Sequence, residues 1–320
     1  DQDVCLGSNG FQFKINTIPR ILKPYYIDFG TSASRFGAFV PGQYYFAPEN
    51  IQVRANDLII FNREIFPKLP FFFDSIVFIS SKKVVMDLDD GIHLYYLKSI
   101  LEGKIERLVQ YSDYISLANV RLASYFKNHL DKISINYPFP DKIYKRVKKE
   151  SEVLTIGWIG STSTTKYLEN LLPILEIINK KYDFKLLLVG ASDDLLKHQD
   201  RFLSLNIISL PWSQENEKYF FENISLGLMP LDLNDEFSNF KSGYKLIQYL
   251  AHSIPCLASK NDVTFDIVRN EMFLCDSESE WLSRLDWFFS IGEKIQLDWM
   301  RNNVDSYLKK FNFISNKLIS

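Results

Sequence analysis

Asn239–Ser259, NFKSGYKLIQYLAHSIPCLAS, reads as a loop, a helix and a strand in succession. Lys241, Ser242 and Gly243 form the loop, and Leu246, Ile247, Leu250 and Ile254 then recur at spacings of three and four. Pro255 forbids continuation of the helix beyond His252-Ser253, and IPCLAS has the apolar content of a short buried strand. A helix start offers free N–H groups and a partial positive charge, and here two lysines, Lys241 and Lys245, flank it. The stretch predicts an α/β domain with a phosphate site at a helix N-terminus, Lys241 leading and Lys245 in support. The plainer alternative is a solvated, basic helix start.

Working upstream from it, the same alternation repeats. VLTIGWIGS is a strand that ends in Gly160-Ser161, and STTKYLENLLPILEIINKKY follows as an amphipathic helix. FKLLLVGAS is a second strand running into glycine, at Gly190. IISLPW, a short acidic helix and ISLGLMPL lead back to the opening stretch. Downstream, Phe273–Cys275 is one more strand, and the last forty residues read as helices rich in Trp and Phe. Neither GWIGS nor LVGAS is a dinucleotide G-x-G-x-x-G or a Walker loop.

PFPDKIYKRVKKESE, residues 138–152, is proline-bounded, charged and without apolar periodicity, which marks a domain boundary. Before it, FQFKINTIP is a candidate first strand, followed by an irregular segment to Thr31 and a short helix starting at Ser32 or Ser34. DLIIFNRE and KVVMDLDDGIH are strands that empty into polar residues. FFFDSIVFIS fits either a helix or an apolar strand. A helical YYLKSILEGKIERLVQYS, strand YISLAN, helix RLASYFKNHL and strand ISINYPF complete this half. Alternating strands and helices imply a parallel sheet with right-handed crossovers and ligands beyond the strand carboxyl ends. That rule selects Asn62, Arg63, Asp89, Asp90, His93 and Asn119 as a rim. For Asp89 and Asp90 the alternative is capping of the next helix, and for His93 a packing role.

Composition narrows the function classes. The 320 residues carry 37 basic and 39 acidic side chains, so no global field points to nucleic acid or to a membrane. Three cysteines, Cys5, Cys256 and Cys275, are too few and too scattered for a disulfide framework or a zinc site. No run of 18 apolar residues is present, and no leader segment is evident, so the expectation is a cytoplasmic chain, with peripheral contact at the inner face of the cell membrane as an option.

GWIGSTSTTKYL, PWSQENE, ISLGLMPL and NFKSGYKLIQYLAHSIPCLAS, in this order and spacing, resemble the donor domain of retaining GT-B glycosyltransferases of family 4. SxSRF, FNRE and MDLDD extend the likeness more loosely into the first half. The resemblance implies two Rossmann-like domains facing across a cleft: residues 1–140 on the acceptor side, with a final helix at about 301–320 packing back on them, and residues 151–300 binding the donor. It implies transfer of a sugar from a nucleotide-diphosphate sugar, with retention, to a saccharide or lipid-linked saccharide in cell-surface polysaccharide synthesis. A nucleotide-sugar epimerase and an inactive nucleotide-sugar-binding protein are the alternatives. No cofactor, metal or nucleic acid is expected.

Carried over by position, Gly160 and Ser161 lie against the donor phosphates, Lys241, Ser242 and Gly243 hold the diphosphate, and Trp212 and Ser213 lie near the base. Lys245 and Gln248 complete the donor set, and Ser34, Arg35, Asn62, Arg63 and Asn119 the acceptor side. Asp90, His93 and Lys241 are the catalytic candidates. Two glutamates that many members carry in the donor loop are replaced by Phe240 and Gln248. Asp87-Leu-Asp89 imitates the DxD signature of metal-dependent sugar transferases, but Asp87 falls inside the strand pattern.

Overall fold

The computed structural model describes residues 4–6, 12–14, 24–27, 58–64, 66–79, 83–140, 142–144, 153–192, 195 and 204–312. Ser34 and Arg35 lie outside the described residues, as does the helix expected at Ser32 or Ser34. The chain forms two compact units. Asp1–Phe139, Phe240–Ser242 and Lys310–Ser320 make the first, and Pro140–Asn239 with Gly243–Lys309 the second.

In the first unit, β1 (Val4–Leu6) and β2 (Gln12–Lys14) pair antiparallel. A separate parallel sheet is built from β3 (Pro24–Ile27), β4 (Leu58–Asn62), β5 (Lys83–Leu88), β6 (Tyr114–Leu117) and β7 (Ile133–Ile135), in that spatial order. β3 lies within the segment expected to be irregular. It opens on Pro24, which the first residue of an edge strand tolerates because no N–H is needed there.

FFFDSIVFIS resolves as a helix, Phe71–Ile79. Phe71, Asp74 and Phe78 share one face at helical spacing. Asp74 is fully buried and meets the equally buried Lys104 ammonium at 3.1 Å, a pairing that a two-residue strand period would not position. The single helix expected over YYLKSILEGKIERLVQYS is instead a 3₁₀ turn, Ile92–Tyr96, and a helix, Lys104–Tyr111. Gly103 between them sits at φ +78°, where the chain leaves helical geometry. Met86, Leu88, Ile105, Leu108, Ile115 and Leu117 form the centre of this unit's core, and Phe240 joins it.

The second unit is a six-stranded parallel sheet of β8 (Leu154–Ile159), β9 (Phe184–Val189), β10 (Asn206–Leu210), β11 (Leu226–Met229), β12 (Cys256–Ser259) and β13 (Leu274–Cys275). Its spatial order is β10-β9-β8-β11-β12-β13, so the winding reverses between β8 and β11. In doubly wound sheets that reversal opens a crevice at the carboxyl ends of the two strands. The helix expected after Gly160-Ser161 is broken into a 3₁₀ turn, Thr162–Thr164, and helices Thr165–Glu169 and Leu172–Asn179, the last restarting on Pro173. Trp158, Leu172, Leu188 and Leu228 lie in one core cluster on this sheet. Cys256 and Cys275 are free and buried, and burial pushes both thiols up, so they act as small apolar residues.

Candidate functional site

At the carboxyl edge of the second sheet, strand ends are laced together by main-chain bonds. Gly160 N–H donates to Val189 O and Gly190 N–H to Leu210 O, each at 2.9 Å. Gly190 has φ +75°, and a Cβ there would come within 2.3 Å of Gly160 O. Only glycine satisfies both conditions. A Cβ on Gly160 would meet the buried Trp158 ring at 2.5 Å and Lys245 Nζ at 2.7 Å.

The Lys245 ammonium therefore rests on this loop. It lies 4.5 Å from the Trp158 ring centroid and 3.4 Å from Thr164 Oγ1. Ser161 Oγ is 3.0 Å from Ser163 Oγ, and Ser161 N–H donates to Thr164 Oγ1 at 3.1 Å. A cation and three hydroxyls are thus gathered at the end of β8, beside the reversal of winding. The helix that carries Lys245, Tyr244–Ala251, starts at Gly243 (φ +71°) and has no side-chain cap among the described residues. Leu246, Ile247, Tyr249 and Leu250 are buried, as the apolar spacing requires.

Trp212 and Ser213 follow β10. Ser213 Oγ accepts from Asn216 N–H at 3.0 Å and caps the helix Gln214–Asn223. The Trp212 indole donates to Glu217 Oε2 at 3.1 Å, and Gln248 Nε2 donates to Glu217 Oε1 at 3.4 Å. Glu217 therefore couples two expected donor residues, and the sequence reading did not name it. Its one signal is its place in PWSQENE, a turn into a helix that begins at the sheet edge.

In the first unit, Arg63 binds Asp89 with two parallel bonds, Nε to Oδ1 at 3.0 Å and Nη2 to Oδ2 at 3.2 Å. Its Nη2 also lies 3.7 Å from Asp90 Oδ2, and Lys241 Nζ lies 3.8 Å from that same oxygen. Arg63 takes φ +64° as it leaves β4, a conformation that costs a non-glycine residue and that the paired carboxylates hold in place. The turn that follows them, Ile92–Tyr96, has its cap position at Gly91. Asn62 Nδ2 donates to Asp87 Oδ2 at 3.3 Å, next to them in the sheet.

Asn119 does two jobs. Its Oδ1 accepts from Leu122 N–H and caps the helix Val120–Tyr125, while its Nδ2 donates to Phe240 O, both at 2.9 Å. Phe240 is buried against the His93 ring (4.8 Å between centroids), with the Arg121 guanidinium 5.4 Å from its centroid. His93 stacks on Tyr125 at 3.9 Å and is itself buried. Burial holds its pKa down at about 4, against a smaller opposing pull from Glu106. Its imidazole is thus neutral at physiological pH. Lys241 and Ser242, which follow Phe240, are held to the first unit by this anchored residue and by Asp90.

No family model matches the chain, and no curated protein matches it. Solved structures do. TarM shares 14% identity over 84% of this chain and 56% of its own, with a TM-score of 0.60. Anabaena HepE in complex with UDP and glucose shares 14% over 82% and 76%, with a TM-score of 0.63. The pneumococcal O-GlcNAc transferase GtfA in complex with UDP and GlcNAc shares 9% over 83% and 58%, with a TM-score of 0.57. The chain has the GT-B fold. At these identities the likeness is one of architecture, and the chain spans only 56% of the length of TarM.

Within the GT-B fold the expected site residues fall into two clusters, one in each unit. Gly160, Ser161 and Lys245, with Trp212, Ser213 and Gln248, edge the second sheet. Asn62, Arg63, Asp90, His93, Asn119 and Lys241 belong to the first unit. Among the described residues no group of three or more His, Cys, Asp or Glu is arranged to hold a metal.

Proposed function

We propose that the chain is a glycosyltransferase that moves a sugar from a nucleotide-diphosphate sugar, with retention of configuration, to a saccharide or lipid-linked saccharide acceptor in cell-surface polysaccharide synthesis. One observation carries the reading: the Lys245 ammonium seated with the Ser161, Ser163 and Thr164 hydroxyls at the winding reversal of a GT-B sheet. That combination suits a phosphate.

In this reading the second unit binds the donor and the first the acceptor. The bond from the anomeric carbon to the diphosphate oxygen breaks, and the bonding pair leaves with the nucleotide diphosphate. Lys245, the helix N–H groups after Gly243 and Lys241 stabilise the charge that grows there. The acceptor hydroxyl attacks from the leaving-group side, giving retention, and its proton passes to the departing phosphate. Asp90 orients the reacting groups. The neutral His93 ring supports Phe240 from beneath and so sets where Lys241 begins. Metal independence is part of the proposal: Asp89 is engaged by Arg63 and Asp87 by Asn62, which leaves that DxD-like pair committed to protein donors.

The test is a thermal-shift screen of common nucleotide sugars, followed by mass spectrometry of the stabilising donor with candidate acceptors. A transferase releases nucleotide diphosphate and extends the acceptor. Conversion of the sugar without release would mean an epimerase, and binding without turnover a binding protein. Activity lost in chelator and restored by manganese would overturn metal independence.

A further inference from the structure

The turn after β10 is held by the helix that follows it. Ser213 Oγ accepts from Asn216 N–H at 3.0 Å, and Asn216 Nδ2 donates to Pro211 O at 2.8 Å. The Trp212 indole donates to Glu217 Oε2 at 3.1 Å. Pro211, Trp212 and Ser213 are thus each tied to the opening of the helix Gln214–Asn223. Trp212 is nevertheless 40% exposed. A large ring that is fixed by its one polar atom and still open to solvent is placed to receive another ring.

Glu217 holds more than the indole. Its Oε1 accepts from Gln248 Nε2 at 3.4 Å, and Gln248 is buried on the helix Tyr244–Ala251. Gln248 stands three residues after Lys245, so the two share one face of that helix. Trp212 in turn adjoins the glycine pair: a Cβ built on Gly190 would come 3.4 Å from Trp212 Cβ and 2.3 Å from Gly160 O. A Cβ on Gly160 would meet Lys245 Nζ at 2.7 Å. Indole, glycines and ammonium therefore follow one another along the carboxyl edge of this sheet, all within the second unit. Both partners of Glu217 are donors, and a carboxylate takes them with one oxygen each. A carboxamide at 217 has a single oxygen and would lose one of the two bonds. The indole has only one N–H, and Glu217 engages it, so Trp212 offers a ligand the face of its ring.

We propose that Glu217 is a positioning residue for the donor. It sets the Trp212 indole as a stacking wall for the nucleobase and ties that wall, through Gln248, to the helix that carries Lys245. Glu217 itself touches neither base nor phosphate. Stacking uses the π-face that every base has, so the wall separates nucleoside diphosphates from bare pyrophosphate and only weakly ranks one base over another. The inference rests on the donor-site reading above, in which a phosphate sits at Lys245.

The experiment is calorimetric titration of the chain with inorganic pyrophosphate and with the diphosphates of uridine, adenosine, guanosine, cytidine and thymidine. The wild type should bind its best nucleoside diphosphate roughly tenfold or more tighter than pyrophosphate, the increment expected of one base on one aromatic ring. Trp212→Ala should bring the two affinities together. Glu217→Gln should lose most of the preference and keep the affinity for pyrophosphate. Glu217→Gln with Gln248→Glu should regain the preference, because the new amide donates to the new carboxylate and keeps its oxygen for the indole. The proposal is overturned if Glu217→Gln keeps the wild-type preference, or if the exchange of the two side chains does not restore it. Equal loss of both affinities in Glu217→Gln, tracking a fall in melting temperature, would make its role structural and overturn the proposal too. Wild-type binding of pyrophosphate with no gain from any base would remove the stacking wall and leave the phosphate site standing. Binding of none of these ligands would remove the donor-site reading as well.

Discussion

Lys245→Met removes the ammonium from the Gly160–Thr164 loop while keeping most of the stem. Nζ lies 3.4 Å from Thr164 Oγ1 and 4.5 Å from the centre of the Trp158 ring, which is fully buried. A phosphate seated on the Ser161–Thr164 hydroxyls comes within about 4 Å of that ammonium. At an effective dielectric near 20 the attraction is roughly 4 kcal/mol before desolvation. The N–H groups of the helix Tyr244–Ala251 remain in the variant, and the lysine no longer has to shed water. A net loss of about 2 kcal/mol follows, or roughly thirtyfold in the dissociation constant. Folding loses less, about 1 kcal/mol of cation–π attraction, part of which the methionine recovers against the same ring. The assay is calorimetric titration with the nucleoside diphosphate of whichever nucleotide sugar stabilises the wild type, at low and high salt, beside a melting curve. Wild-type affinity should fall with salt, and the variant's should fall less, because one charge is missing. If Lys245→Met binds that nucleoside diphosphate as wild type does, the lysine only packs on Trp158 and the phosphate site lies elsewhere. A loss of affinity that tracks a melting-point drop of many degrees would likewise make its role structural.

Gly190→Ala places a Cβ 2.3 Å from Gly160 O at φ +75°, so it should cost about 2–4 kcal/mol in stability, read from denaturant unfolding, and weaken binding of the same nucleoside diphosphate through the displaced loop. Lys104→Met leaves Glu64 and the fully buried Asp74 without their cation and should cost about 3–5 kcal/mol; Lys104→Met with Asp74→Leu should recover part of it. His93, with its pKa held down at about 4, stays neutral in the fold while the unfolded chain takes up its proton near 6.5. Its contribution is complete above pH 6.5 and is lost as pH falls toward 4, a change on the order of 2–3 kcal/mol. Burial lowers His252 too, so urea titrations across this range should show a slope that His93→Phe reduces and does not abolish.

The strands of the second unit were legible because buried parallel strands are continuous apolar runs bounded by glycine or proline, as VLTIGWIGS is at its end and IPCLAS at its start. The opening helix was legible for the same reason: Leu246, Ile247 and Leu250 declare one buried face. PYYI was not, since a four-residue edge strand opening on proline has neither period nor length, and its partner β4 lies far along the chain. FFFDSIVFIS became a helix through Asp74, whose buried partner Lys104 stands thirty residues away. Local composition also marked Gly160, Ser161, Lys241 and Lys245 as one kind of chemistry, and it put Lys241 ahead of Lys245. The fold seats Lys245 on the glycine loop and sets Lys241 beside Asp90. Glu217 was invisible for a related reason: its tie to Trp212 and Gln248 exists only where separate strand ends converge. Periodicity and punctuation are local quantities and can be read along the chain, whereas the partner of a charge is decided by which strand ends the winding of the sheet brings together.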